Sequence, residues 1–99
     1  MKKLTSFTKY IRSKNAGAFW ITVDIFFKTN QDFLYVSKKL KNRNVSKLLK
    51  IKINKLKRFD IEDLNVIKYS FPRIHVQGSR LDRDIHGAAY AVLFEEIYI

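Results

Sequence analysis

Ninety-nine residues, 46% hydrophobic and 14% aromatic, make one domain (residues 1–99) with enough apolar material for a core, which excludes a disordered chain. The absence of cysteine excludes disulfides, thiolate metal sites and cysteine nucleophiles. The formal net charge of +11 is uneven: residues 1–59 hold 16 Lys/Arg and 2 Asp/Glu, a balance of +14, while residues 60–99 hold 4 and 7, a balance of −3. The start Met-Lys-Lys resembles a signal-peptide n-region, but no apolar stretch follows over residues 4–10, so a signal peptide is not expected. No apolar run approaches the roughly 20 residues that span a bilayer. The expectation is a cytoplasmic chain with no membrane contact.

In chain order, Leu4, Phe7 and Ile11 are spaced to suit a helix face or a poor strand. Residues 12–17 (RSKNAG) read as a turn, from their Ser, Asn and Gly. Residues 18–27 (AFWITVDIFF) are the strongest strand, rich in β-branched and aromatic side chains. Alternation puts Trp20, Thr22, Asp24 and Phe26 on one face, with Phe19, Ile21, Val23, Ile25 and Phe27 on the other. The second face is wholly apolar and predicts helices against it. Asp24, on the first, is either an edge charge or a partner for a loop arginine. Thr29 or Asn30 caps a helix over 32–40, with Asp32 in the first turn and Phe33, Val36 and Leu40 as its buried stripe. A second short helix is predicted over 45–49, starting at Asn44 or Ser46. Residues 50–57 alternate Lys and apolar side chains, which predicts a half-exposed edge strand guarded by its lysines. A further strand is predicted over 61–69, ended by Pro72. From Asp82 or Asp84 the stripe Ile85, Ala88, Ala89, Val92, Leu93 predicts a helix, and 97–99 a short strand or docked tail. The order β, α, β, β, α, with a further strand available at either end, predicts an α+β fold. It is a small ferredoxin-like sandwich, mostly antiparallel sheet with helices on one face.

The densest polar chemistry lies in residues 69–87 (YSFPRIHVQGSRLDRDIHG), which hold the only proline, both histidines, three arginines and two of the three glycines. Conformationally punctuated loops on a rigid scaffold are where binding groups collect. Arg73, Arg80 and Arg83 offer bidentate grips for carboxylate or phosphate, unless Asp82 and Asp84 neutralise them within the loop. His75 and His86 are the candidate general acid–base, and so catalytic, groups, because imidazole titrates near neutral pH. His75, His86, Asp82 and Asp84 match no common metal-ligand spacing, so no metal site is assigned. Ser79 lacks a nucleophile-elbow motif. Arg12 and Lys14 beside the Asn15–Gly17 turn form a second candidate anion site. Residues 38–58 carry ten Lys/Arg and no acid, which reads either as a nucleic-acid patch or as a solvated face. Eight of the ten are lysines without interleaved aromatics, which favours the solvated face.

Several separated blocks in order carry a resemblance: residues 12–17 (RSKNAG), Asp24, residues 63–73 (DLNVIKYSFPR), Gln77-Gly78-Ser79, Asp82-Arg83-Asp84 and the stretch from Gly87 to Leu93. Together they resemble an uncharacterised family of small bacterial and archaeal domains, similar to the ferredoxin-like C-terminal domain of AtuA-type (acyclic terpene utilisation) proteins. The resemblance covers nearly the whole chain. It implies a small subunit standing beside a large AtuA-type protein, or a homo-oligomer, in organic-acid or acyl-CoA catabolism. Its ligand-binding set would be Arg12, Ser13, Lys14, Asn15, Gly17, Arg73, Gln77, Ser79, Arg80, Asp82, Arg83 and Asp84, around an anionic small molecule. It names no cofactor and leaves open whether the chain is catalytic. The alternatives are a basic nucleic-acid-binding domain using the 38–58 face and an interaction module without chemistry.

Overall fold

The structure, a computed structural model, describes residues 2–17, 19–72 and 90–99. Its centre is the strand read most strongly from sequence. β2 (Trp20–Phe27) lies between β1 (Thr8–Asn15) and β4 (Val66–Pro72), and β3 (Lys57–Ile61) closes the far edge, in the order β1-β2-β4-β3. Every neighbouring pair is antiparallel. Two short helices, α1 (Asn30–Lys39) and α2 (Asn42–Leu49), connect β2 to β3, and α3 (Tyr90–Glu95) follows β4. β2 and β3 therefore run parallel with β4 inserted between them, the split βαβ of a ferredoxin-like sandwich. From β2 onward the order is β-α-β-β-α. The remaining edge strand, which a ferredoxin-like chain supplies at its C-terminal end, comes here from the N-terminal side as β1.

Alternation along β2 and β4 builds the core. Ile21, Val23 and Ile25 on β2, and Ile67, Tyr69 and Phe71 on β4, are buried on one side of the sheet. Against them pack Phe33 and Val36 of α1, Val45 and Leu49 of α2, and Tyr90 and Phe94 of α3. Edge-to-face and tilted ring pairs join the layers: Phe27–Phe33, Tyr69–Phe94 and Phe71–Tyr90, with centroids 6.0, 5.7 and 5.3 Å apart. The Thr29 side chain caps α1 by accepting from Asp32 N at 3.1 Å, as its sequence position predicts. The chain ends tie together through Lys2, Leu4, Ile97 and Ile99, so the 97–99 tail is docked.

Four expectations are corrected. Residues 12–15 are strand, not turn: β1 runs to Asn15, and the reversal begins at Ala16 and Gly17, with Gly17 at φ +86°. Pairing with β2 satisfies the backbone there and outweighs the turn preference of Ser and Asn. Residues 50–56 are not an edge strand; that strand, β3, begins only at Lys57. Lys50 adopts a left-handed φ of 58° at the end of α2, and Ile53–Lys55 form a 3-10 turn. Their alternation does not reflect a pleat, since Ile53 is exposed while Leu56 is buried. The strand expected over 61–69 is two strands joined by a turn, with Glu62–Leu64 in a 3-10 turn and Asn65 at φ 53°. The second helix also starts earlier, at Asn42 rather than near Asn44 or Ser46.

Candidate functional site: the open face of the sheet

All described helices lie on one side of the sheet. The strand register lays out the other side in rows. Tyr10, Phe26, Val66 and Ile61 form one row; Arg12, Asp24, Lys68 and Phe59 the next; Lys14, Thr22, Ser70 and Lys57 the third; Trp20 and Pro72 the last. Aromatic rings therefore alternate with cations over a surface that no described element covers. Tyr10 stacks on Phe26 at 4.5 Å, and the Lys57 ammonium sits 5.2 Å from the Trp20 ring.

On the β1 side of this face is a cleft of about 200 Å3 lined by Arg12, Ser13, Lys14, Asp24 and Phe26. Arg12 and Lys14 are exposed and aim the same way because they are two apart on a strand. Neither pairs with a carboxylate among the described residues. Asp24 makes its ion pair with Lys68, at 3.9 Å, although its strand neighbour on the other side is Arg12. Two side-chain oxygens here, Thr22 Oγ1 and Asp24 Oδ1, are shielded from water and accept or donate no hydrogen bond among the described residues. Buried polar atoms are normally satisfied, so these two oxygens are candidate partners for a polar group of a ligand. The cleft offers guanidinium and ammonium donors, an apolar ring in Phe26, and a carboxylate acceptor.

Ser13 points the opposite way from Arg12. Its Oγ accepts from Ala91 N at 2.9 Å, tying β1 to the first turn of α3. Alternation places Asn15 on that same side, so the residues 12–15 do not form one anion-binding turn. Pro72 pairs with Trp20, and Ala91, the second residue of α3, bonds to Ser13, so the end of β4 and the start of α3 both sit near the β1–β2 hairpin. The other expected site residues, namely Arg73, His75, Gln77, Ser79, Arg80, Asp82, Arg83, Asp84 and His86, lie outside the described residues.

A family model described as Domain of unknown function (DUF4387) matches residues 4–97. The chain belongs to this family. Neither a curated protein nor a solved structure matches it. The DUF4387 match spans both faces of the sheet, so membership alone does not select between them.

The helix side of this DUF4387 chain holds the other concentration of polar contacts, one that sequence reading missed. Arg58, counted there only as part of the lysine run, is mostly buried. Its guanidinium donates to Leu40 O at 2.6 Å, Ser37 O at 2.9 Å and Asn42 Oδ1 at 3.2 Å, and pairs with Asp60 at 2.7 Å. It also lies 5.7 Å from the Tyr69 ring. Ser37 and Leu40 are at the end of α1, where helix carbonyls lack intrahelical partners. Burial, opposed by the nearby Arg58 charge, pushes the Tyr69 hydroxyl up to about 12. The available sequence signal was Arg58-x-Asp60, which puts an arginine and an acid on one strand face. The other nine cations of residues 38–58 are exposed. Among the described residues, no three His, Cys, Asp or Glu side chains cluster closely enough for a metal ion, and no helix is long and apolar enough to cross a membrane.

Proposed function

We propose that this chain is an accessory subunit that docks on an AtuA-type protein and holds an anionic metabolite, an organic acid or acyl-CoA, in the β1–β2 cleft. The observation that carries the reading is the pair Arg12 and Lys14. Both project beside a 200 Å3 cleft with no carboxylate partner among the described residues. A guanidinium free of internal pairing can grip a carboxylate or phosphate through two parallel donors. Asp24 Oδ1 and Thr22 Oγ1 fit a ligand that also carries a donor, such as an amide or hydroxyl, and Phe26 supports its apolar part. In the same reading Arg73 and Arg80 add charge to the anion, and His75 or His86 moves any proton.

Isothermal titration with coenzyme A and with acetyl-CoA, on the chain alone and with its partner, tests this. Wild type binds, and Arg12→Ala binds about tenfold more weakly or worse, the loss expected for a charge-assisted hydrogen bond of about 1.5–3 kcal/mol. Equal affinity in Arg12→Ala and Lys14→Ala sinks the anion site. One observation favours nucleic-acid binding as a second reading, the exposure of nine cations over residues 38–58. That reading predicts gel retardation at low salt which collapses as salt rises.

A further inference from the structure

The open face extends well beyond the cleft, and its β2–β4–β3 part has no assigned role. Four strands about 4.8 Å apart and some seven residues long give a footprint of roughly 19 by 23 Å. That is roughly 440 Å2 in projection, about half of the 800 Å2 or so that one side of a standard protein–protein interface buries. Its rings are unusually open: Tyr10 is 44%, Trp20 38% and Phe59 50% exposed. Trp, Tyr and Arg are the residue types that most often anchor interfaces.

We propose that this face docks a partner protein whose surface combines an apolar centre with carboxylates. The inference rests on the accessory-subunit reading and deepens it by naming the surface and the chemistry it meets. Charge decides the occupant. Among the described residues, Arg12, Lys14, Lys57 and Lys68 share the face with one acid, Asp24, which Lys68 engages. A second copy packed face to face would oppose cations to cations. A nucleic acid fits less well for three reasons. On this face the central strand β4 carries Lys68 and Ser70 beside a buried Val66, with no ring for a base. The exposed rings Tyr10, Trp20 and Phe59 lie on three different strands and in three different rows of the face, scattered rather than in line for successive bases. The Asp24 carboxylate sits mid-face, where it repels phosphate. A protein surface bearing Asp or Glu among apolar side chains satisfies the cations and covers the rings together. It also closes over the cleft and removes water from the Arg12–anion contact.

The test uses the full chain and a purified AtuA-type protein from the same genome, with complex affinity read by titration calorimetry. Variants carry Lys57→Glu with Phe59→Glu, or Trp20→Ala, all away from the cleft, and circular dichroism verifies their folding. A Lys52→Glu, Lys55→Glu control makes a larger charge change away from the sheet. The expected result is at least tenfold weaker complex formation in both face variants, less than twofold change in the control, and wild-type affinity that falls with salt. A wild-type complex indifferent to the face variants, or weakened equally by the control, overturns this inference and leaves the accessory-subunit reading standing. No complex with wild type overturns both. A concentration-dependent dimer, or retention of a fluorescent single-stranded oligonucleotide, that is lost in the face variants assigns the surface to a second copy or to nucleic acid and overturns the proposal.

Discussion

Arg58 and Arg12 stand on opposite sides of one sheet, and their surroundings differ in kind. Arg58 is enclosed between α1, α2 and Tyr69, and its guanidinium reaches helix carbonyls, an amide and a carboxylate. Arg12 is exposed beside a cleft on a face that no described element covers, and among the described residues its guanidinium lies 5.9 Å from the Tyr10 ring. An arginine whose donors are all engaged inside the fold holds that fold together. One whose donors are open has its binding capacity left for something outside. The same chemical group therefore reads as structure in one place and as function in the other, and the difference is only whether the chain supplies the acceptors.

Arg58→Ala is the largest expected effect. It strands the Ser37 and Leu40 carbonyls and Asp60, for a stability loss of about 2–4 kcal/mol in chemical denaturation. Arg58→Lys recovers only part, because an ammonium lacks the fork that reaches several acceptors. A loss under about 0.5 kcal/mol would erase the contrast between the two arginines, since that is the range of ordinary surface changes.

Tyr69 gives the same corner a pH signature. Its pKa is raised from 10.0 to about 12 in the folded chain, chiefly by burial. Between those values the folded chain keeps a proton that the unfolded chain has released, so stability falls as pH rises through that window. The full drop is roughly 2–3 kcal/mol. Melting wild type and Tyr69→Phe in parallel across this range isolates it from lysine titration. The variant loses this part of the slope, and identical slopes would show that Tyr69 is not the group responsible.

The smallest expected effect is on the other side. Arg12→Ala changes stability by less than about 0.5 kcal/mol, as for a surface residue whose side chain makes no hydrogen bond or ion pair among the described residues. A melting temperature lowered as far as in Arg58→Ala would make Arg12 a structural residue too.

Much of the fold was legible because local signals agreed with tertiary need. Residues 18–27 alternate an apolar face with a mixed one, a pattern that matches β2, its buried side and the placement of Asp24 on the opposite face. Thr29 followed by Asp32 marked the start of α1. Legibility failed where local pattern and pairing disagree. Ser13 and Asn15 have turn-former chemistry but are held extended by β2. Lys50 to Lys57 alternate like a strand, yet Lys50 closes α2 in a left-handed conformation. The cleft was half legible. Arg12 and Lys14 were singled out, but as parts of a turn, and Ser13 was grouped with them although strand alternation sends it toward α3. Arg58 was hidden in a run of lysines, because sequence records its charge and not its acceptors.

Chemical-shift mapping of the isotope-labelled chain during titration with coenzyme A tests the central claim most directly. The amides of Arg12 to Lys14 and Asp24 to Phe26 should move in a saturable way, while those of Ser37 to Asn42 and of Arg58 stay fixed. Saturable shifts confined to the Arg58 corner, or none on the open face at saturating ligand, would contradict the assignment of binding to the bare side of the sheet.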